Sequence, residues 1–529
     1  MRGGMTRLRM PRRGFRALAA AVALVTGAVL LAGCTNQPEA KLPTQTSTPV
    51  VSPTSATPTA DELAVQRFYT QRLVWKDCSG GFQCATAQAP IDWAHPAQGA
   101  PIHLALIRKP ATSGHALGSL FVNPGGPGES GVDFVRQAVG DASPTLQANY
   151  DIVGWDPRGV GASSAVKCYD DAGLDQWLYG IVPGVRGSTQ WLDASKQITT
   201  SLGAACLKNT GPLLGHIDTP STAHDLDMLR GAVGDAKLNY LGFSYGTLIG
   251  AIYADMFPSH VGRMALDGVV DPASTYDDVT QLQAVGFEDN LKAYAQWCVT
   301  SDRTCPFHGS ADAAMNAIGA LLQQVDRHPI KNSDGRLLGS ATLQTAIILP
   351  LYNQSNWPSL DVLFKDVDKG SARVAFLLAD QYNERDSNGR YASNVMVAFA
   401  ATNCLDYEFD DDLAHMQAQA AALAKAAPVM GPFFSYGGIA CAGWPFGTVR
   451  VPAPVRAAGS APILVLGTTN DPATPYSQSV ALAKELENGH LVTWRGNGHT
   501  AYGRSNTCVL NTVDDYFVKG TVPARDPEC

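Results

Sequence analysis

Seven short apolar runs, each stopped by Gly, Pro or Asp, constrain this chain more than any other feature. They are "IHLALIRKPA" (102–111), "GSLFVNPGG" (118–126), "YDIVGWDPRG" (150–159), "LNYLGFS" (238–244), "RMALDGVVDP" (263–272), "APILVLGTTNDPATP" (461–475) and "HLVTWRGNGH" (490–499). Their apolar residues are continuous rather than alternating. That pattern predicts strands covered on both faces, hence a mostly parallel central sheet with helices on both sides. Such a sheet presents its reactive groups at the carboxyl ends of its strands, where these polar and glycine-rich stops fall. The stretch "STAHDLDMLRGAVG" (221–234) reads as the helix before the fourth run, opened by a capping box at Thr222-Ala-His-Asp225.

Between about 273 and 458 the rhythm changes. "LQAVGFEDNLKAYAQWCVTS", "ADAAMNAIGALLQQVDRH", "WPSLDVLFKDVDKG" and "DLAHMQAQAAALAKAAP" have helical spacing without strand–loop alternation. The expected organisation is a core in two parts, 63–272 and 459–529, with a large helical cap at 273–458 over the carboxyl edge of the sheet. No internal repeat is visible. At 529 residues and 45% hydrophobic, the chain can bury a large core.

The first 33 residues do not belong to that fold. "MRGGMTRLRMPRRGFR" is basic and "ALAAAVALVTGAVLLAG" is an apolar run ending in small residues, the arrangement of an export signal. Its end, "LAGC" (31–34), looks like a bacterial lipobox, which implies cleavage before Cys34 and acylation of its thiol. The alternative is an uncleaved membrane anchor. "RRGF" weakly resembles a twin-arginine signal. Residues 34–62, rich in Thr, Pro and Ser, read as an extended tether that reaches up to roughly 80 Å at about 3 Å per residue. The location expected is the extracytoplasmic face of the cell envelope, with the membrane as a partner through the lipid anchor.

Without residues 1–33 the chain has 33 bases against 47 acids, which gives no electrostatic footprint for nucleic acid. Eleven cysteines leave ten once Cys34 is set aside, in a chain that reads as exported, so disulfides are expected. Short loops suggest Cys78–Cys84, Cys168–Cys206, Cys298–Cys305, Cys404–Cys441 and Cys508–Cys529, one set among about 945 connectivities. No His/Cys cluster has zinc-ligand spacing, and neither a metal nor another cofactor is expected.

Gly242-Phe243-Ser244-Tyr245-Gly246 follows an apolar strand and precedes "TLIGAIYADMF", whose apolar residues recur at helical spacing. One reading is a turn that merely needs small residues. The other is a nucleophile elbow, in which a strained Ser244 has its crowding relieved by glycines two before and two after. A serine hydroxyl needs a base as it attacks, and the elbow architecture supplies partners in the order Ser, Asp/Glu, His. Asp471 and His499 each follow a late strand and fit that order. His490 is the rival base, at the wrong end of its strand, and Asp267 and Asp271 are rival acids. The developing oxyanion needs backbone donors; "NPGGPGESG" (123–131) offers the Gly125 or Gly126 amide, to act with that of Tyr245. The same block as a phosphate loop lacks the Gly-Lys-Ser/Thr ending.

Taken together, "NPGGPGESG", "WDPRGVGAS", "LGFSYG", "TTNDPATP" and "GNGHT" resemble the α/β-hydrolase peptidases of the prolyl and tripeptidyl aminopeptidase group, in particular exported tripeptidyl-aminopeptidase-like lipoproteins of actinobacteria. The resemblance runs from about residue 70 to the end. It implies an α/β-hydrolase fold, Ser244 as nucleophile with Asp471 and His499, and hydrolysis of peptides or proteins as a serine exopeptidase through an acyl-enzyme. Pro124 stands where the prolyl aminopeptidase form has His, which bears on proline specificity more than on catalysis. An aminopeptidase must recognise an α-ammonium, and Asp406 and Glu408, beside Cys404, are the acids proposed for it; a solvated acidic run is the alternative. A carboxylesterase or lipase fits the same scaffold. A non-catalytic binding lipoprotein would be expected to have lost at least one catalytic residue.

Overall fold

The computed structural model describes residues 58–529 except Asp302. The expected export signal and the acylation site at Cys34 lie outside the described residues, as does most of the tether. Of the tether only 58–62 is described, and there the helix Ala60–Tyr69 has already begun, with Thr59 and Glu62 closing a capping box.

Eleven strands follow in chain order: β1 (Lys76–Asp77), β2 (Gln83–Ala89), β3 (Ile102–Lys109), β4 (Ser119–Asn123), β5 (Asp151–Trp155), β6 (Leu238–Phe243), β7 (Val261–Asp267), β8 (Ile330–Lys331), β9 (Leu337–Leu338), β10 (Ile463–Asn470) and β11 (Gly489–Asn497). Nine of them form one sheet in the order β1-β2-β3-β5-β4-β6-β7-β10-β11. The six strands from β5 to β11 in that order are parallel, and β1, β2 and β3 extend the sheet antiparallel.

Alternate residues of each parallel strand enter separate apolar layers, which is why the runs are continuous in sequence. Phe121, Val153, Tyr240 and Val465 face one layer. Leu120, Ile152, Leu241 and Leu464 face the other. Burying each such side chain contributes about 1.5–3 kcal/mol. The helix Tyr245–Met256 is nearly all apolar and is buried on every side, so it lies inside the molecule behind the sheet. The helix before β6 spans Thr219–Val233 with Asp218 as its N-cap. It therefore starts four residues earlier than the Thr222 box suggests, because the Asp218 side chain takes the Ser221 N–H.

The residues between β7 and β10 are mainly helical and carry their own apolar core. Two features depart from a single all-helical insertion. The short hairpin β8–β9 lies within it. The helices Asp171–Tyr179 and Thr189–Thr210 also pack on it: Tyr179 is part of its core, Arg385 pairs with Asp175 at 2.6 Å, and Leu192 joins Met416 and Ile439 in a small separate cluster. Five disulfides link the neighbouring pairs suggested by sequence. Among the described residues no helix is long and apolar enough to cross a membrane.

Candidate active site

Loops after neighbouring strands meet at the carboxyl edge of the sheet, where Asn123 pairs with Gly242 and Phe243 with Asp267. β6 runs through Ser244 directly into the helix Tyr245–Met256. Ser244 has φ 53° and ψ −127°, a conformation that costs a residue with a Cβ about 1–3 kcal/mol. The surroundings impose it. The Ser244 N–H donates to Asp267 O at 2.9 Å. A side chain at Gly246 would lie 2.7 Å from Asn123 Oδ1, and one at Gly242 would lie 2.6 Å from Gly246 O. Glycine at both positions lets the strands and the helix close to this distance. Ser244 thereby stands on the wall of a cavity of about 700 Å³.

His499 follows β11, is 6% exposed and lines the same cavity. Its Nδ1 lies 2.9 and 3.0 Å from the two carboxylate oxygens of Asp471. That carboxylate also accepts the Ala473, Thr474 and Thr500 N–H groups at 2.9–3.1 Å. Facing an acceptor, Nδ1 carries the ring proton and Nε2 is left as the basic nitrogen. Nε2 is buried without a hydrogen-bond partner, a condition that costs about 1–3 kcal/mol. Ser244 Oγ does not bond it in this structure; such contacts commonly tighten only when substrate binds. Tyr352 stands edge-on to the imidazole with ring centroids 5.3 Å apart, and its carbonyl accepts the His499 N–H at 2.9 Å.

The rival residues lie elsewhere or do something else. His490 pairs with Leu464 near the start of β11 and does not line the cavity. Asp271 accepts the Ala273 N–H within its own turn. Asp267 is fully buried and accepts the N–H groups of Ala501 and Tyr502 at 2.7–3.0 Å. Burial pushes its carboxyl up to about 7 against the pull of those N–H groups.

Gly125 has φ 110°, and a Cβ there would sit 2.8 Å from Ser244 Cβ and 3.1 Å from Tyr245 N. The glycine loop is therefore laid against the elbow. The Gly125 N–H is already used, since it donates to Asn123 Oδ1 at 3.0 Å. The next glycine, Gly126, lines the cavity. Tyr245 opens its helix, where an N–H has no intrahelical partner.

The amine-binding acids expected at 406 and 408 are not on the cavity wall. Asp406 is fully buried, takes the Thr219 N–H at 2.9 Å and the Thr219 hydroxyl, and Thr219 Oγ1 also meets Tyr245 OH. Burial pushes its carboxyl up to about 7. It braces the elbow from behind and has no room for a ligand. Glu408 is exposed outside the cavity. The acids that do line the cavity are Glu129 and Glu384. Sequence reasoning passed over both, although Glu129 lies inside "NPGGPGESG", an acid among glycines beside the reacting centre. Among the described residues no group of three or more His, Cys, Asp or Glu is disposed to hold a metal.

Comparison with known proteins adds to this geometry. Residues 118–305 match the family described as "alpha/beta hydrolase fold", and residues 427–529 match "TAP-like protein". The serine protease Hip1 of Mycobacterium tuberculosis is 36% identical over 476 residues, covering 85% of this chain and 88% of that protein. Carboxylesterase B of the same organism is 36% identical over 458 residues, 84% of this chain and 86% of the other. The tripeptidyl aminopeptidase of Streptomyces lividans is 30% identical over 485 residues, 88% of each chain.

Proposed function

The chain belongs to the TAP-like group of α/β-hydrolases, and from that premise we propose that it is a serine exopeptidase that cleaves peptides through Ser244, His499 and Asp471. Ser244 Oγ attacks the peptide carbonyl as its proton passes to His499 Nε2. Asp471 keeps the ring proton on Nδ1 and stabilises the imidazolium. The Gly126 and Tyr245 N–H groups receive the negative charge on the carbonyl oxygen. The imidazolium then protonates the departing amine, which leaves an acyl-enzyme. Water attacks the acyl-enzyme with His499 again as base, releasing the acid and regenerating the hydroxyl. No cofactor enters the sequence.

One observation carries the reading: an imidazole fixed by Asp471 whose Nε2 is buried and unpartnered, in the same cavity as a serine held at φ 53°. A serine-directed phosphonate should add its mass to the peptide containing Ser244, and Ser244→Ala should lose both labelling and hydrolysis. Activity retained in that variant ends the proposal. The equal identity to a carboxylesterase favours a second reading, ester hydrolysis at the same residues. Peptide anilides and esters of the same acyl group separate the two, since turnover of esters alone selects the esterase. The proposal includes export and a lipid anchor at Cys34; Cys34→Ser should release the enzyme from the membrane fraction.

A further inference from the structure

Resting on the peptidase reading, we propose that Arg504 and a second cavity beside it bind the part of the peptide that leaves. The ligand chemistry is an extended peptide with a carboxylate close beyond the scissile bond. The mechanism decides on which side this part lies. His499 Nε2 gives its proton to the departing amine, so the leaving peptide extends from Ser244 past the imidazole. The residues after His499, up to the helix Thr507–Lys519, border that side.

Two independent observations single out this loop. The first is a space. A cavity of about 410 Å³ is lined by Ser505, Asn506 and Thr507 from the loop, together with Ser143, and small-ligand sites run from roughly 300 to 1,000 Å³. It shares Ala142 and Gly503 with the Ser244 cavity, so the wall common to both carries nothing larger than a methyl group. The second observation is a charge. Arg504 lines the Ser244 cavity and is more than one-third exposed. Its Nη1 donates to His499 O at 3.2 Å, which sets the guanidinium beside the base. Among the described residues Arg504 is in no ion pair; Glu129 lines the same cavity and feels its charge without pairing. The remaining donors of a guanidinium form a planar fork that matches a carboxylate. No carboxylate of this chain takes them, and the leaving peptide can supply one.

Two sources can bring the carboxylate: the C-terminus of a short leaving peptide, or an Asp or Glu side chain. Peptides with one fixed acyl segment separate them, combining a C-terminal acid or amide with Glu or Gln as the first leaving residue. The readout is the ratio of kcat/KM for charged over neutral leaving parts in the wild type, Arg504→Gln and Arg504→Lys. Arg504→Gln should lower that ratio at least about fivefold, and Arg504→Lys should restore part of it. Each ratio is taken within one variant, so any general loss through the His499 loop cancels. Loss on the acid-against-amide arm assigns the C-terminus, and loss on the Glu-against-Gln arm assigns a side chain. Ratios unchanged on both arms in a variant that still cleaves overturn the Arg504 assignment and leave the peptidase reading intact. Failure of the wild type to cleave any of these peptides, with Ser244 still labelled by the phosphonate, overturns the peptidase reading and this site with it.

Peptide length tests the second cavity. With the acyl segment fixed and the C-terminus amidated, wild-type kcat/KM should rise at least about threefold as the leaving part grows from one residue to four, because contacts remote from the scissile bond add binding energy. Thr507 is exposed and lines the second cavity, so Thr507→Trp narrows that space without entering the core. The ratio of kcat/KM for four leaving residues over one should fall toward unity in this variant. No gain with length in the wild type, or a gain that survives Thr507→Trp undiminished, overturns the second cavity as the path of the leaving peptide.

Discussion

Two aspartates hold the His499 loop, one at the ring and one at the backbone, and their substitution should separate the two tasks. Asp471 faces Nδ1. In Asp471→Asn the amide tolerates the wrong tautomer, so kcat should fall about 10⁴-fold with KM and the unfolding midpoint little changed. Asp267 instead receives the Ala501 and Tyr502 N–H groups. An asparagine oxygen in the place of Oδ2 can accept both N–H groups, but its NH₂ then stands in the place of Oδ1 and faces the Ala501 N–H, donor against donor, and loses a bond worth about 1–3 kcal/mol. Asp267→Asn should therefore lower kcat about 10- to 100-fold together with the urea midpoint, because the loop moves and carries the imidazole with it. Steady-state kinetics and unfolding of the two variants side by side check this. An Asp267→Asn enzyme as inactive as Asp471→Asn but fully stable would make Asp267 the acid that orients the base.

The cap helix Tyr276–Ser301 is seated on the loop that carries Asp471. Gln283 Nε2 donates to Ala473 O at 3.1 Å and Asn290 Nδ2 to Asn470 O at 2.9 Å. Between them a Cβ on Gly286 would meet Pro472 O at 2.6 Å. Gly286→Val should overpack this crossing by about 1–3 kcal/mol, displace the Asp471 turn and lower kcat/KM at least about tenfold, with the far-ultraviolet circular dichroism unchanged. An undiminished kcat/KM would mean that the helix does not bear on the loop in solution. How much of this is legible in sequence differs between elements. The parallel strands and Ser244, Asp471 and His499 are legible because each residue ends a continuous apolar run, a purely local signal. β2 is not, since "QCATAQA" has no large apolar group and becomes a strand by pairing with β3. Nor do the helices Asp171–Tyr179 and Thr189–Thr210 announce that they join the cap, because helical periodicity does not name the layer a helix packs against. Asp406 misled because a carboxylate beside a disulfide-bonded cysteine reads as held ready for an ammonium, whereas the Thr219 N–H and hydroxyl already occupy it.

Across the whole molecule, buried carboxyl groups and arginine-paired ones pull stability in opposite directions as pH changes. Asp267 and Asp406 are each pushed up to about 7, chiefly by burial, against about 4 in an unfolded chain. The folded state therefore holds protons that the unfolded chain releases. Their contribution is complete below about pH 4 and is lost as pH rises through about 7. Asp175 and Asp227 behave oppositely. Burial opposes their charge, but Arg385 and Arg230 hold them below the ordinary carboxylate range, so their contribution is present above about pH 4 and is lost in acid. Stability should then peak on the acid side of neutrality. Asp406→Asn isolates one buried group, because an amide cannot ionise. Its unfolding midpoint minus that of the wild type should increase steadily from pH 5 to pH 8, as only the wild type must bury a charge. Thermal unfolding at four pH values measures this directly, and a constant difference would show that Asp406 ionises as freely in the fold as in the open chain.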